Sequence, residues 1–277
     1  MNTIGIIGFG NMGEAFAAGL KVRFPQATFA VVEKLPARST LAKEKFSALD
    51  CTGDWETFFS RVDVAILAVK PQDALTLLGE ISPHSRGKRF VSIMAGTPIS
   101  FLRKYLHTPY ISRFMPNLAA MYGKAAVGVA FPEEPAGSEP GSEDPASMES
   151  FRKECLEIAE AVGRPIRIPE RLMPMMTGLS GSGIAFVFQF LHAMALGGVK
   201  TGFPYPAALE TALQVVEGAV EVLRNTGESP ATWITRVASP AGTTIEGLQV
   251  LEEAAFSAAV MAAVEAASRR AEELEGV

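Results

Sequence analysis

Cysteine is almost missing from this chain: Cys51 and Cys155 are the only two in 277 residues, with no CxxC spacing. That excludes a disulfide framework or a structural zinc site as the organising device. Two free thiols in a reducing compartment are expected instead. Histidine is nearly as scarce, with His84, His107 and His192 as the full set. His84 and His107 fall in polar loops and His192 on an apolar stretch, where a satisfied core histidine is the ordinary role. No HExxH, no paired carboxylates and no His-based triad occur, so no metal is expected. The net charge is −5 and no Lys/Arg cluster stands out, which gives nucleic acid no footing as a partner. Long hydrophobic runs are also lacking. The most apolar stretch, Gly183 to Val199, is interrupted by Gln189 and His192 and is short for a membrane span. A buried helix is the expectation there, and no membrane partner. A strand already begins at Thr3, which leaves no stretch for a signal peptide. A soluble, cytoplasmic protein is expected.

What is present describes an ordinary globular chain, 48% hydrophobic and 20% charged, with the length of two domains. The first half alternates short apolar runs (4–7, 29–32, 64–69, 90–93, 110–114) with amphipathic stretches (12–23, 38–45, 73–80, 99–106). That alternation predicts a parallel, doubly wound α/β sheet. Fully apolar runs such as Val64–Val69 suit a sheet covered on both faces. Residues 132–145 are acidic and rich in proline and glycine, and predict an exposed, mobile loop without a function of its own. A helix over 148–162 and a strand over 165–168 follow. Beyond residue 169 only Ala-rich helical patterns remain (183–198, 205–225, 230–237, 244–274), apolar on more than one face. The expected organisation is an α/β domain over 1–168 and an all-α domain over 169–277. So much apolar helix surface on about 110 residues points to self-association, a homodimer.

Gly8-Phe9-Gly10-Asn11-Met12-Gly13 fits GxGxxG, between a strand and a helix as that fingerprint requires. Gly8 makes the turn, Gly10 lets the backbone approach a pyrophosphate and Gly13 lets helix and strand pack. The helix N-terminus then offers its N–H groups to the phosphates. The first domain is thus expected to be a Rossmann dinucleotide-binding domain. Glu33 stands about 20 residues further on, where an acid bonds the adenosine ribose and favours NADH. Lys34 follows it and Arg38 is near, and either suits a 2′-phosphate. The balance leans to NADH, though both signs of charge also suit plain solvated surface. Two more strand ends, Val69-Lys70-Pro71 and Ala95-Gly96, face the same crevice if the topology holds.

In the helical half, Ser239-Pro240-Ala241-Gly242-Thr243-Thr244 leads into a long helix. Ser, Gly and Thr ahead of a helix leave backbone N–H groups for a carboxylate. Ser180 and Ser182 sit in a second small-residue turn, Leu179–Gly183, before the apolar helix. Each turn alone is equally an ordinary helix cap. With no side-chain nucleophile in evidence, the chemistry falls to a cofactor, and the protein supplies orientation and electrostatics.

Together, GFGNMG (8–13), AVKPQ (68–72), RFMPN (113–117), TGLSGSG (177–183), GVKTGFP (198–204) and ASPAGTTIEGLQVLE (238–252) resemble the pyrroline-5-carboxylate reductase family over essentially the whole chain. The resemblance implies an oxidoreductase of proline biosynthesis. It would move hydride from NADPH or NADH to the C=N carbon of 1-pyrroline-5-carboxylate. It implies that Ser239 and the amides of Gly242 and Thr243 hold the substrate carboxylate, with Thr244 at the ring nitrogen. It places Lys70, Ala95, Gly96 and Asn117 along the cofactor crevice. It also implies dimers interlocked through the helical domains, sometimes built into rings. Ala241 departs from the glycine usual in that turn. Reduction of another small cyclic imine or hydroxyacid, or cofactor binding without catalysis, are the alternatives.

Overall fold

The computed structural model describes residues 2–132 and 145–275. Residues 133–144 of the expected mobile loop, 132–145, lie outside the described residues. The chain divides into two compact units, Met1–Gly181 together with Ala267–Val277, and Ser182–Ala266. Residues 169–181 and the end of the last helix thus belong with the first unit, where the sequence reading had placed them with the helices.

The first unit is built on one eight-stranded sheet. Its strands are β1 (Thr3–Ile7), β2 (Thr28–Val32), β3 (Leu49–Asp50), β4 (Val64–Leu67), β5 (Arg89–Ser92), β6 (Ile111–Met115), β7 (Ala125–Ala130) and β8 (Gly163–Arg167). Their order is β3-β2-β1-β4-β5-β6-β7-β8. All neighbours run parallel except β6 and β7. The helices are α1 (Asn11–Arg23), α2 (Pro36–Phe46), α3 (Trp55–Arg61), α4 (Ala74–Ile81), α5 (Ile99–Leu102), α6 (Pro145–Glu160) and α7 (Met173–Met176).

Successive side chains on a strand point to opposite faces, and both faces here are covered. Ile4 and Ile6 of β1 and Val64 and Ile66 of β4 enter one core, with Phe16 and Phe29. Ile7, Ala65 and Leu67 enter the other, with Phe58 and Phe90. Gly5 is small because α3 lies on it: a Cβ there would stand 2.4 Å from the Phe58 ring. With β2 on one side of β1 and β4 on the other, the crevice of a doubly wound sheet opens beyond the carboxyl ends of β1 and β4.

The second unit is helical: α8 (Gly183–Lys200), α9 (Tyr205–Thr226), α10 (Pro230–Val237), α11 (Thr243–Glu253) and the start of α12 (Phe256–Glu275). Helices α8 and α9 approach closely at Gly198, where a Cβ would meet the Ala208 Cβ at 2.8 Å. Gly202, at φ +104°, makes the turn between them. One expectation fails here. Only Leu191 and Ala195 of α8 are buried, while Val187, Phe188, Leu196 and Val199 are exposed. The helix is apolar all round, yet this chain leaves most of it uncovered. Among the described residues, one helical run, Glu170–Lys200, is long and apolar enough by length and composition to cross a membrane. His192 is exposed too, with Nδ1 3.2 Å from the Tyr205 hydroxyl.

Candidate active site

The glycine turn after β1 has the shape its sequence requires. Gly8 takes φ +92°, and a Cβ on it would press on the Ala68 carbonyl at 2.8 Å. A Cβ on Gly13 would lie 2.2 Å from the Gly8 carbonyl oxygen. Gly10 caps α1 with no side-chain hydrogen bond, and nothing lies within 4 Å of where its Cβ would be. The N-terminus of α1 is therefore open at its most exposed glycine, which fits a pyrophosphate. Asn11 is exposed and Met12 half-buried at the start of that helix.

Phe9 behaves differently. Its ring is fully buried and meets Phe46 edge-on at 5.7 Å, so it anchors the turn from inside. Its N–H donates to Glu33 Oε2 at 2.5 Å, and its carbonyl accepts from Arg38 Nε at 2.7 Å. Glu33 is buried, and its Oε1 accepts the Leu35 N–H at 2.8 Å. Arg38 also bonds Glu14 at 3.1 Å, and Lys45 bonds Glu14 at 2.8 Å. The Lys45 hydrogen bond holds the Glu14 carboxyl below its usual range against the opposing effect of burial, helped by the charges of Lys45 and Arg38. A lowered carboxylate value stabilises the fold above the ordinary glutamate range and loses that stabilisation as acid protonates it. Lys34 is exposed and paired with Asp73 at 3.0 Å.

Beyond β4 and β5, Val69-Lys70-Pro71 and Ala95-Gly96 arrive at adjacent strand ends, as expected. Lys70 is exposed and precedes a short turn of helix over Pro71–Asp73. Gly96 takes φ +65°, and a Cβ on it would stand 3.2 Å from the Leu274 carbonyl oxygen. The end of α12 therefore rests on this turn. A cavity of about 450 Å³ lies beside it, lined by Pro71, Gly96, Phe101, Lys104 and Leu274 among others. Arg113 of β6 fastens that end. Its guanidinium pairs with Glu170 at 3.4 Å and with Glu275, and Glu170 also accepts the Ile99 N–H at 2.6 Å. Sequence reasoning missed this cluster. Its one signal was a charged residue in the otherwise buried run Ile111–Phe114.

Asn117 and Ser180 touch each other. Asn117 Nδ2 donates to Ser180 Oγ at 3.1 Å, and Ser180 Oγ donates to the Ala126 carbonyl at 3.1 Å. Asn117 Oδ1 accepts the Ala119 N–H. These bonds join the end of β6 to a π-helical segment, Thr177–Ser182. Such segments occur mostly as single turns, frequently at functional sites. Ser182 opens the second unit.

In that unit, Ser239–Gly242 forms a tight turn. The Gly242 N–H donates to the Ser239 carbonyl at 3.0 Å. That amide is engaged within the turn. A Cβ on Gly242 would stand 2.3 Å from Ser239 Oγ, so a side chain there would displace the Ser239 hydroxyl. Ala241 sits at φ +56°, a left-handed conformation costing roughly 1 kcal/mol that glycine would not pay. Gly242 caps α11 with no side-chain hydrogen bond, so Thr243 and Thr244 head a helix whose first amides lack intrahelical acceptors. Thr244 also lines an apolar groove of about 440 Å³ with Trp233, Ile234, Val237 and Leu248. Ser239 and the first amides of α11 are thus brought together.

Two family models match the two halves of the chain. Residues 170–274 match the family model described as pyrroline-5-carboxylate reductase dimerisation. Residues 3–96 match the model described as NADP oxidoreductase coenzyme F420-dependent. The pyrroline-5-carboxylate reductase of Methanosarcina acetivorans is 38% identical, over 98% of this chain and 97% of its own. The chain belongs to the pyrroline-5-carboxylate reductase family. The Aquifex aeolicus pyrroline-5-carboxylate reductase is 35% identical over 98% of this chain and 97% of its own length. The solved pyrroline-5-carboxylate reductase from Coxiella burnetii superposes with a TM-score of 0.85 at 26% identity, covering 98% of this chain and 97% of that one. The fold is therefore that of the family, a Rossmann domain followed by a helical dimerisation domain, and the chain self-associates through that domain.

Proposed function

We propose that this protein reduces the C=N bond of 1-pyrroline-5-carboxylate to give L-proline, with NADPH or NADH as donor, as a cytoplasmic homodimer. The observation that carries the reading is the Ser239–Thr244 turn, in a chain of this family. Its glycine leaves room for the Ser239 hydroxyl and leaves the head of α11 without a side-chain cap. Such an arrangement suits a small carboxylate.

The hydride would come from a bound reduced nicotinamide. The chain's residues do the rest. Gly8, Gly10 and the N-terminus of α1 hold the pyrophosphate, and Val69-Lys70-Pro71 and Ala95-Gly96 flank the rest of the crevice. Ser239 Oγ and the amides of Thr243 and Thr244 hold the carboxylate. The Thr244 hydroxyl hydrogen-bonds the ring nitrogen, orienting the C=N and steadying the proton there. Asn117 and Ser180 tie β6 to the segment before α8. Orientation of this kind supplies much of the rate in a reaction with no protein nucleophile. The exposed apolar side chains of α8 and α9, such as Phe188, Leu196, Leu213 and Val215, support the dimer.

The clamp is tested by removing the carboxylate from the substrate. With 1-pyrroline, kcat/KM is expected to fall at least about 100-fold below that for 1-pyrroline-5-carboxylate, because the turn's amides and hydroxyl lose their acceptor. Equal turnover of the two would mean the turn does not bind a carboxylate, and reduction of a different imine would be the better reading.

A further inference from the structure

Glu33 occupies the position where a Rossmann domain reads the adenosine ribose, yet both of its carboxylate oxygens are bonded within the protein. One oxygen accepts the Phe9 N–H and the other the Leu35 N–H. The group is only 8% exposed, and its own N–H donates to Thr52 Oγ1 at 3.1 Å. From the other side, Arg38 grips the Phe9 carbonyl and is held in turn by Glu14, which Lys45 also holds. The N–H and the carbonyl of the residue between Gly8 and Gly10 are therefore each bonded to a charged side chain. Charge-assisted bonds of this kind are roughly twice as strong as neutral ones.

We propose that Glu33 and Arg38 are positioning residues that lock the phosphate-binding turn through Phe9, and that neither discriminates NADH from NADPH. The proposal rests on reading Gly8–Gly13 as the pyrophosphate site. A carboxylate that is 8% exposed and spends one oxygen on each of two backbone amides is directed into the turn and not toward a ribose. An arginine bonded to a carbonyl and a carboxylate is likewise committed. Whatever disturbs this clamp loosens the turn for both cofactors alike, since both carry the same pyrophosphate.

The test uses the full-length protein and two variants, Glu33→Gln and Arg38→Met. Kd for NADH and for NADPH is measured by titration, and kcat at saturating cofactor. A glutamine accepts one of the two amides and turns an NH₂ toward the other, leaving one N–H unsatisfied. Methionine keeps the stem of Arg38 and removes its donors. Each variant is expected to raise both Kd values by a similar factor, about tenfold for Glu33→Gln, with kcat at saturation within about twofold of the parent. A merely structural role would lower the melting temperature without this rise in Kd. Selective loss of NADH with unchanged or tighter NADPH in Glu33→Gln would overturn the proposal and make Glu33 a ribose reader. Selective loss of NADPH in Arg38→Met would overturn it likewise. If the parent protein binds neither cofactor, the cofactor reading itself fails and the proposal with it.

Discussion

Thr244→Ala is expected to lower kcat about 100-fold, the low end for a group that positions or supplies a proton, while Kd for either cofactor stays within about twofold. The argument is local. Thr244 is the second residue of α11, next to the turn that would hold the carboxylate, and its side chain faces an apolar groove. A hydroxyl in such surroundings acts in a medium of low polarity, where its hydrogen bond is stronger than in water. The helix does not need the hydroxyl, since alanine is at least as good a helix former, so the variant should fold. Thr244→Ser keeps the hydroxyl and should recover most of the rate. Cofactor binding is expected to hold, since the residues proposed for the pyrophosphate, Gly8 and Gly10 at the head of α1, are other residues. Parallel measurement of kcat, KM for the imine and Kd for the cofactor checks this. Unchanged kcat in the alanine variant would remove Thr244 from the mechanism.

Arg113→Met is expected to cost about 3 kcal/mol of stability, near the lower end for breaking a buried pair from one side. Only 3% of the Arg113 side chain is exposed, so the charge that is lost is a desolvated one. Its partners are 23% and 21% exposed, and water reaching them reduces the cost. For a chain of this size that is a fall in melting temperature on the order of 10 °C. Glu275→Gln should cost less, about 1 kcal/mol, because Glu170 still meets the arginine. The cluster joins β6, the start of α5, the segment before α7 and the end of α12, whose Leu274 carbonyl lies on the Gly96 turn. Thermal melts of the two variants against the parent read this directly. An unchanged melting temperature in Arg113→Met would show the ion pairs to be incidental.

Elements with a strong local signal were legible in the sequence, and those held by distant contacts were not. GFGNMG gave away its turn because each glycine answers a local steric demand. Strand β7 was hidden because Ala-Ala-Val-Gly-Val-Ala carries little strand propensity; it exists because β6 and β8 pair with it on either side. Helix α3 was also missed, although Asp54 caps it by accepting the Thr57 N–H. The expected single helix over 244–274 divides at Ala255, which takes φ +53° with no glycine or proline to announce it. Helix α8 was misjudged as buried because composition reports that a surface is apolar, not whether its cover comes from the same chain. At the site, the Ser239–Gly242 turn was visible in residue types alone. The engagement of Glu33 was not, because its partners' backbone amides carry no side-chain signature, and one of them lies 24 residues away.

The central claim is that this chain makes proline from a cyclic imine at the expense of a reduced nicotinamide cofactor. The direct test incubates the purified protein with 1-pyrroline-5-carboxylate and, separately, NADH or NADPH, following both cofactor oxidation and proline formation. The account predicts proline formed mole for mole with cofactor oxidised, with at least one of the two donors. Binding of the cofactor without any proline formed from the imine would contradict it.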